Sequence, residues 1–194
     1  MRDSIPSQNR RVLVIDDNHA IHADFKKILK PASQQRAALD ELEAAFFGEA
    51  SSSDQTTQFD IDSAFQGQEG LARIKDARAA DQPYALTFVD VRMPPGWDGV
   101  ETVSQIWAAD PEVQVVICTA YSDYAWDEVA KKLTRPDQLM ILKKPFDNIE
   151  VLQLAHAFTE KWRLAREAEQ RLGDLQSLVR ELTRKLAKSK SKAR

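Results

Sequence analysis

One cysteine, Cys118, among 194 residues leaves nothing with which to form an internal disulfide. The fold must therefore be held by its core, and a reducing compartment suits it. No stretch approaches the roughly 20 consecutive apolar residues that a membrane helix needs, and no basic-then-apolar leader opens the chain. Only three histidines occur, His19, His22 and His156. Their spacing is not that of a metal cluster, and they read as surface or cap residues. An excess of one charge is also missing. The 27 Lys and Arg against 30 Asp and Glu leave a formal net charge of −3, so the whole chain has no electrostatic reason to bind nucleic acid or membrane. A cytoplasmic protein is the expectation. What is present is 43% hydrophobic and 29% charged residues, enough for one domain with a sizeable core plus an appendage.

Five short apolar runs rich in β-branched residues punctuate the chain, each followed by a helical pattern. Arg11–Ile15 reads as a strand buried on both faces, followed by a helix over about Asn18–Lys30 with Ile21, Phe25, Ile28 and Leu29 on one face. Pro31 stops that helix. Residues 31–58 look like an insertion, with helical spacing over Ala37–Phe47 and a polar loop after Gly48. Then come a strand over Phe59–Phe65, a helix over Gln68–Ala80, a strand over Ala85–Val89 and a helix over Asp98–Ala109. Asp98 and Glu101 have the capping-box spacing. Val113–Cys118, Asp123–Leu133 and Gln138–Leu142 predict strand, helix and strand. Five β-α units with right-handed crossovers give an α/β fold, a doubly wound parallel sheet with helices on both faces.

The last helix opens on another capping box, Asp147 with Glu150, and no proline follows Pro145. It predicts a helix from Asn148 to about Ala187, roughly 60 Å at about 1.5 Å per residue. Leu152, Leu154, Ala155 and Phe158 suit a sheet face. Ala165, Ala168, Leu172, Leu175, Val179, Leu182 and Leu186 alternate three and four apart, the pattern of a coiled-coil seam. The alternatives are a parallel homodimer or a helix folded back on its own domain, and the first is favoured. A basic end from Arg184 to Arg194 follows; it reads as a solvated tail and is the only part suited to nucleic acid.

Polar residues stand where the apolar runs stop: Asp16 and Asp17, Asp90, Thr119 and Lys144. In an open parallel sheet the carboxyl ends of the strands face one crevice, so three carboxylates, a hydroxyl and an ammonium should meet there. Clustered carboxylates repel and shift one another's pKa values, and a Mg²⁺ ion, which favours oxygen ligands, relieves that. Asp90 is the candidate nucleophile toward an activated phosphoryl group. Lys144 is the opposing positive charge and Thr119 a hydroxyl donor. Cys118 reads as core, and Trp97, nearest Asp90 in sequence, as packing or a solvent gate.

Val14-Ile15-Asp16-Asp17-Asn18, Val89-Asp90-Val91-Arg92-Met93-Pro94, Thr119-Ala120 and Lys143-Lys144-Pro145-Phe146 together resemble the signatures of CheY-like response-regulator receiver domains over about residues 11–158. The resemblance implies a flavodoxin-like (βα)5 sheet of order 2-1-3-4-5. It makes Asp90 the phosphoacceptor, Asp17 a direct Mg²⁺ ligand and Asp16 the acid that holds metal-bound water. The main-chain carbonyl of Arg92 supplies a further ligand. It also implies that the bond before Pro145 is cis and that the phosphoryl donor is a histidine kinase or phosphotransfer protein. The chain departs from the pattern in three places: a longer Met93–Gly99 loop, Ile141 where many receivers carry an aromatic switch (Tyr121 or Tyr124 being substitutes), and the 31–58 insertion. The domain plan is a disordered 1–10, a receiver at 11–158, a coiled-coil extension at 159–187 and a tail at 188–194, with no recognisable output domain. Other readings are a dimerising adaptor of receiver fold, the front part of a longer regulator with a diguanylate cyclase or kinase output, and an aspartyl-phosphate phosphatase. The phosphatase would want an acid where Arg92 stands.

Overall fold

A computed structural model describes residues 9–30, 58–120, 133 and 135–192, with 186–192 as helical backbone only. In chain order the elements are β1 (Arg11–Ile15), α1 (His19–Leu29), β2 (Asp60–Ala64), α2 (Gly67–Ala79), β3 (Leu86–Asp90), α3 (Gly99–Ala109), β4 (Gln114–Thr119), a 3-10 turn (Pro136–Gln138), β5 (Leu139–Lys143) and α4 (Asn148–Lys192). The strands form one parallel sheet in the order β2-β1-β3-β4-β5, the doubly wound arrangement expected. The insertion up to residue 57, the helix expected over Asp123–Leu133 apart from Leu133 itself, Tyr121, Tyr124 and residues 1–8 lie outside the described residues.

The apolar runs work because the three inner strands, β1, β3 and β4, are covered on both sides. Leu13 and Ile15 of β1 point into a cluster with Ile74 of α2 and Val103 and Ile106 of α3. Val12 and Val14, one residue out of step, point into a second cluster with Phe25 of α1 and Val151, Ala155 and Phe158 of α4. Alternation of side chains along a strand thus divides one continuous apolar run between two cores.

Side-chain caps open three of the helices, the two at Asp98 and Asp147 being the expected capping boxes. Asn18 accepts a hydrogen bond from the Ala20 N–H at 3.0 Å. Asp98 accepts from the Glu101 N–H at 2.7 Å. Asp147 accepts from Ile149 at 2.9 Å while its own N–H donates to the Glu150 carboxylate at 3.2 Å, so the second box closes in both directions. Phe146 packs against the core beside Phe25, with ring centroids 5.3 Å apart.

Three boundaries differ from expectation in the same way. β3, β4 and β5 each run one residue further, through Asp90, Thr119 and Lys143. The reason is that the ladder does not stop where hydrophobicity does: Asp90 is in register with Cys118 and Thr119 with Lys143. α1 differs on its buried face, which holds His22, Phe25, Ile28 and Leu29, with Ile21 only half-buried. α4 stays packed beyond residue 158, through Trp162, and Arg166 pairs with Glu112. From Ala168 to Lys185 every residue of α4 is exposed, and the helix continues to Lys192 because neither proline nor glycine follows Gly173.

Gly99 pins α3 to the strand that carries Asp90. Its N–H donates to the Val91 carbonyl at 2.8 Å, and a Cβ there would lie 2.4 Å from the Asp90 carbonyl oxygen and 2.8 Å from the Val91 Cα. Both are backbone atoms that cannot swing aside. Gly99→Ala should therefore lose about 1–3 kcal/mol in urea unfolding, the usual range for overpacking. Gly173→Ala, with nothing within 4 Å of the new methyl, should gain up to about 1 kcal/mol, the helix-propensity difference.

Candidate functional site

The site lies at the carboxyl edge of β1, β3, β4 and β5, and backbone bonds carry the sheet register into it. The Asp16 N–H donates to Ala64 at 3.1 Å, Val91 to Cys118 at 3.1 Å and Lys144 to Thr119 at 2.8 Å. These bonds set the strand ends side by side, so residues 128 positions apart in sequence, Asp16 and Lys144, become neighbours.

The Lys144 Nζ lies 2.7 Å from Asp16 Oδ2 and 2.7 Å from Asp90 Oδ1. Each carboxylate keeps a second anchor. Asp16 Oδ1 accepts from the Asn18 N–H at 2.9 Å and Asp90 Oδ2 from the Arg92 N–H at 3.2 Å. Asp16 is 2% exposed, whereas Asp17 is exposed and its carboxylate engages no other described residue. One oxygen each from Asp16, Asp17 and Asp90 falls within 4.8 Å of the others. Arg92 is exposed, two residues beyond Asp90. Four of the expected side chains thus come together. Thr119 is placed at the same edge, half-buried, but its hydroxyl donates to the Ala120 carbonyl at 3.0 Å rather than to the carboxylates. The Lys144–Pro145 bond is cis, as the resemblance implies, and so is Pro94–Pro95 in the lengthened loop.

Burial dominates the electrostatics here. It pushes the Asp90 carboxyl above its ordinary value, with the Asp16 charge adding to the rise and the Lys144 hydrogen bond and charge opposing it. For Lys144, burial works to lower the pKa, but the hydrogen bonds it donates to Asp16 and Asp90 and the charges of those carboxylates outweigh it and raise the value. The two carboxylates hold the ammonium charged, while burial, more than the neighbouring charges, sets the direction for Asp90. Cys118, behind Asp90, is fully buried and its thiol is pushed far up by burial. It is a core residue, not a nucleophile.

One residue at this site was read differently from sequence. His22 is not at the surface. It is buried, with Nε2 2.7 Å from the Asp16 carbonyl oxygen. The signal was available, because His22, Phe25 and Leu29 share three-four spacing on α1. His19 is exposed and stacks on Phe65, centroids 4.3 Å apart, and His156 meets the Phe59 ring edge-on.

The raised Asp90 pKa has a sign for stability. A carboxyl whose pKa is higher folded than unfolded destabilises the fold once it is ionised, and the loss shrinks as pH falls toward the folded pKa. In metal-free buffer at neutral pH, Asp90→Asn should raise the melting temperature, and the gap to wild type should narrow on acidification; calorimetric scans between neutral pH and pH 4 check this.

The profile of the response regulator receiver domain matches residues 50–156, just over half of the chain. Asp90, Arg92, Thr119 and Lys144 fall inside the match; Asp16 and Asp17 precede it. Among solved structures, the chain is similar to an adenylate cyclase from Rhodopirellula baltica, with TM-score 0.60, 21% identity, and coverage of 85% of this chain and 98% of that one. It is also similar to a CheY-like response regulator receiver domain protein from Methanospirillum hungatei JF-1, with TM-score 0.55, 19% identity, and coverage of 80% and 98%. The signal receiver domain of an HD domain-containing protein from Pseudomonas fluorescens Pf-5 gives 0.58, 15%, and coverage of 86% and 98%. At these identities the likeness speaks to the fold. No curated protein sequence matches the chain.

Proposed function

The chain belongs to the response regulator receiver domain family, and from that premise we propose that it is a phosphorylation switch whose acceptor is Asp90. The observation that carries this reading is the Lys144 ammonium seated 2.7 Å from both Asp16 and Asp90.

The donor set suits a divalent cation. It is all oxygen, it is over-supplied with negative charge, and its atoms lie within 4.8 Å of one another, the spread expected of ligands around a small hard ion. Asp17 and Asp90 would hold Mg²⁺ directly, Asp16 through bound water, and the Arg92 carbonyl would complete the protein ligands. The exposed carboxylate of Asp17, which engages no other described residue, supports this. When bound, the ion neutralises phosphoryl oxygens and polarises the phosphorus.

This chain's own residues do the rest. An Asp90 carboxylate oxygen attacks the phosphorus of a phosphohistidine on a histidine kinase or phosphotransfer protein. An O–P bond forms as the N–P bond breaks, and its electron pair leaves with the imidazole, which takes up a proton. Lys144 then has a phosphoryl oxygen within reach of an ammonium that is already positioned. The Thr119 hydroxyl turns from Ala120 to donate to another. The chemistry is confined to the protein's own phosphorylation and dephosphorylation. The new charge biases the arrangement of the crevice, a population shift between two states.

The domain plan that goes with this reading keeps residues 11–158 as the receiver, with the 31–58 insertion, and 159–187 as a dimerising helix before the basic tail. Support for the dimer comes from α4, where Leu172, Leu175, Val179 and Leu182 are each 50–60% exposed on a stretch that is exposed throughout, from Ala168 to Lys185. A projecting helix with leucines at coiled-coil spacing is stabilised by a second one. Among the described residues no helix is long and apolar enough to cross a membrane.

Intact mass after incubation with acetyl phosphate and Mg²⁺ should show a gain of one phosphoryl group. EDTA or Asp90→Asn should abolish it, and Lys144→Met should slow it roughly 100-fold, as expected for loss of a positioned charge. A label on Asp90→Asn would overturn the assignment. Sedimentation of the wild type should give two chains per particle, and the double change Leu175→Glu with Leu182→Glu should give one.

A further inference from the structure

The buried imidazole of His22 performs a task that the phosphoacceptor reading does not assign. β1 ends at Ile15 and α1 begins at His19, so the acid pair occupies a three-residue link with no strand or helix of its own. Asp16 is tied down at four atoms. Its N–H goes to Ala64, Oδ1 to Asn18 and Oδ2 to Lys144, and its carbonyl oxygen to His22 Nε2 at 2.7 Å. A carbonyl oxygen only accepts, so Nε2 must carry the proton in that contact. For the neutral ring that assigns the tautomer, and among the described residues Nδ1 is buried without a hydrogen-bond partner. The ring is held in place by Phe65, with centroids 4.6 Å apart, whose own N–H is fixed by the Glu69 carboxylate at 2.7 Å.

The consequence falls on the next residue. The Asp16 carbonyl belongs to the Asp16–Asp17 peptide, a rigid plane, so the imidazole that holds the oxygen sets the direction in which Asp17 leaves the backbone. Asp17 has nothing else to orient it, since its carboxylate is exposed and engages no other described residue.

We infer that His22 is a positioning residue for cation binding, its Nε2–H holding the Asp16–Asp17 peptide in the orientation that aims Asp17 into the acid cluster. This rests on the reading of that cluster as a Mg²⁺ site.

The test compares two variants. His22→Gln keeps an N–H donor near the position of Nε2, and His22→Met has similar length and no donor. Mg²⁺ affinity is measured by calorimetric titration, and the melting temperature is measured in EDTA. His22→Met should bind Mg²⁺ about tenfold more weakly or worse, the usual cost of losing an outer-layer partner of a ligand. His22→Gln should stay within about threefold of wild type. Equal weakening in both variants would mean the ring acts by packing alone and would overturn the inference, as would full affinity in a folded His22→Met. A second measurement needs no variant. Long-range ¹H–¹⁵N spectra of the wild type should show the proton on Nε2, and a proton on Nδ1 alone would overturn the inference. Wild type that binds no Mg²⁺ would sink the phosphoacceptor reading as well, whereas wild-type binding unaffected by His22→Met sinks only this one.

Discussion

Two carboxylates and one ammonium within 2.7 Å contacts form the constraint around which this molecule is arranged. Each group alone would be costly at that depth. Together they are tolerable but not neutral, because a negative charge remains after the ammonium is counted. The residual charge is what makes the crevice a place for a cation and a phosphoryl group rather than a buried ion pair that merely holds the fold.

That arrangement depends on backbone geometry more than on side chains. Parallel pairing in the order β2-β1-β3-β4-β5 sets β1 beside β3, and β3 beside β4. The last residues of the ladder then deliver Asp90 and Thr119 to the edge, with Lys144 one step beyond β5. Gly99 permits the close approach that seats α3 under the Asp90 peptide, and His22 reaches the same edge from α1. Supports from regular elements thus converge on a few atoms of backbone in the short links that carry Asp16, Asp17 and Lys144.

Most of this was legible in the sequence because apolar runs, capping boxes and strand-end polar residues all point to one topology. The strand ends were not. Hydrophobicity falls at Asp90, Thr119 and Lys143, but hydrogen bonding does not, and only the ladder reveals it. His22 was missed because histidine is read as polar by default, although it shares the stripe of Phe25 and Leu29. The seven-residue pattern of the last helix was visible, but how far the packed part of that helix runs was not. Trp162 and Arg166 still pack on the receiver, because the aromatic ring is buried and the guanidinium finds Glu112. The turn of Thr119 toward Ala120 could not be read either, since a hydroxyl rotor follows its nearest acceptor.

The central claim is that the Lys144 ammonium acts on the Asp90 carboxylate across the crevice. The direct measurement is a ¹³C titration of the Asp90 carboxyl, metal-free, in wild type and in Lys144→Met. The lysine opposes the rise in the Asp90 pKa, so its removal should move the Asp90 midpoint to still higher pH. A midpoint that stays where it is in the wild type would contradict the account.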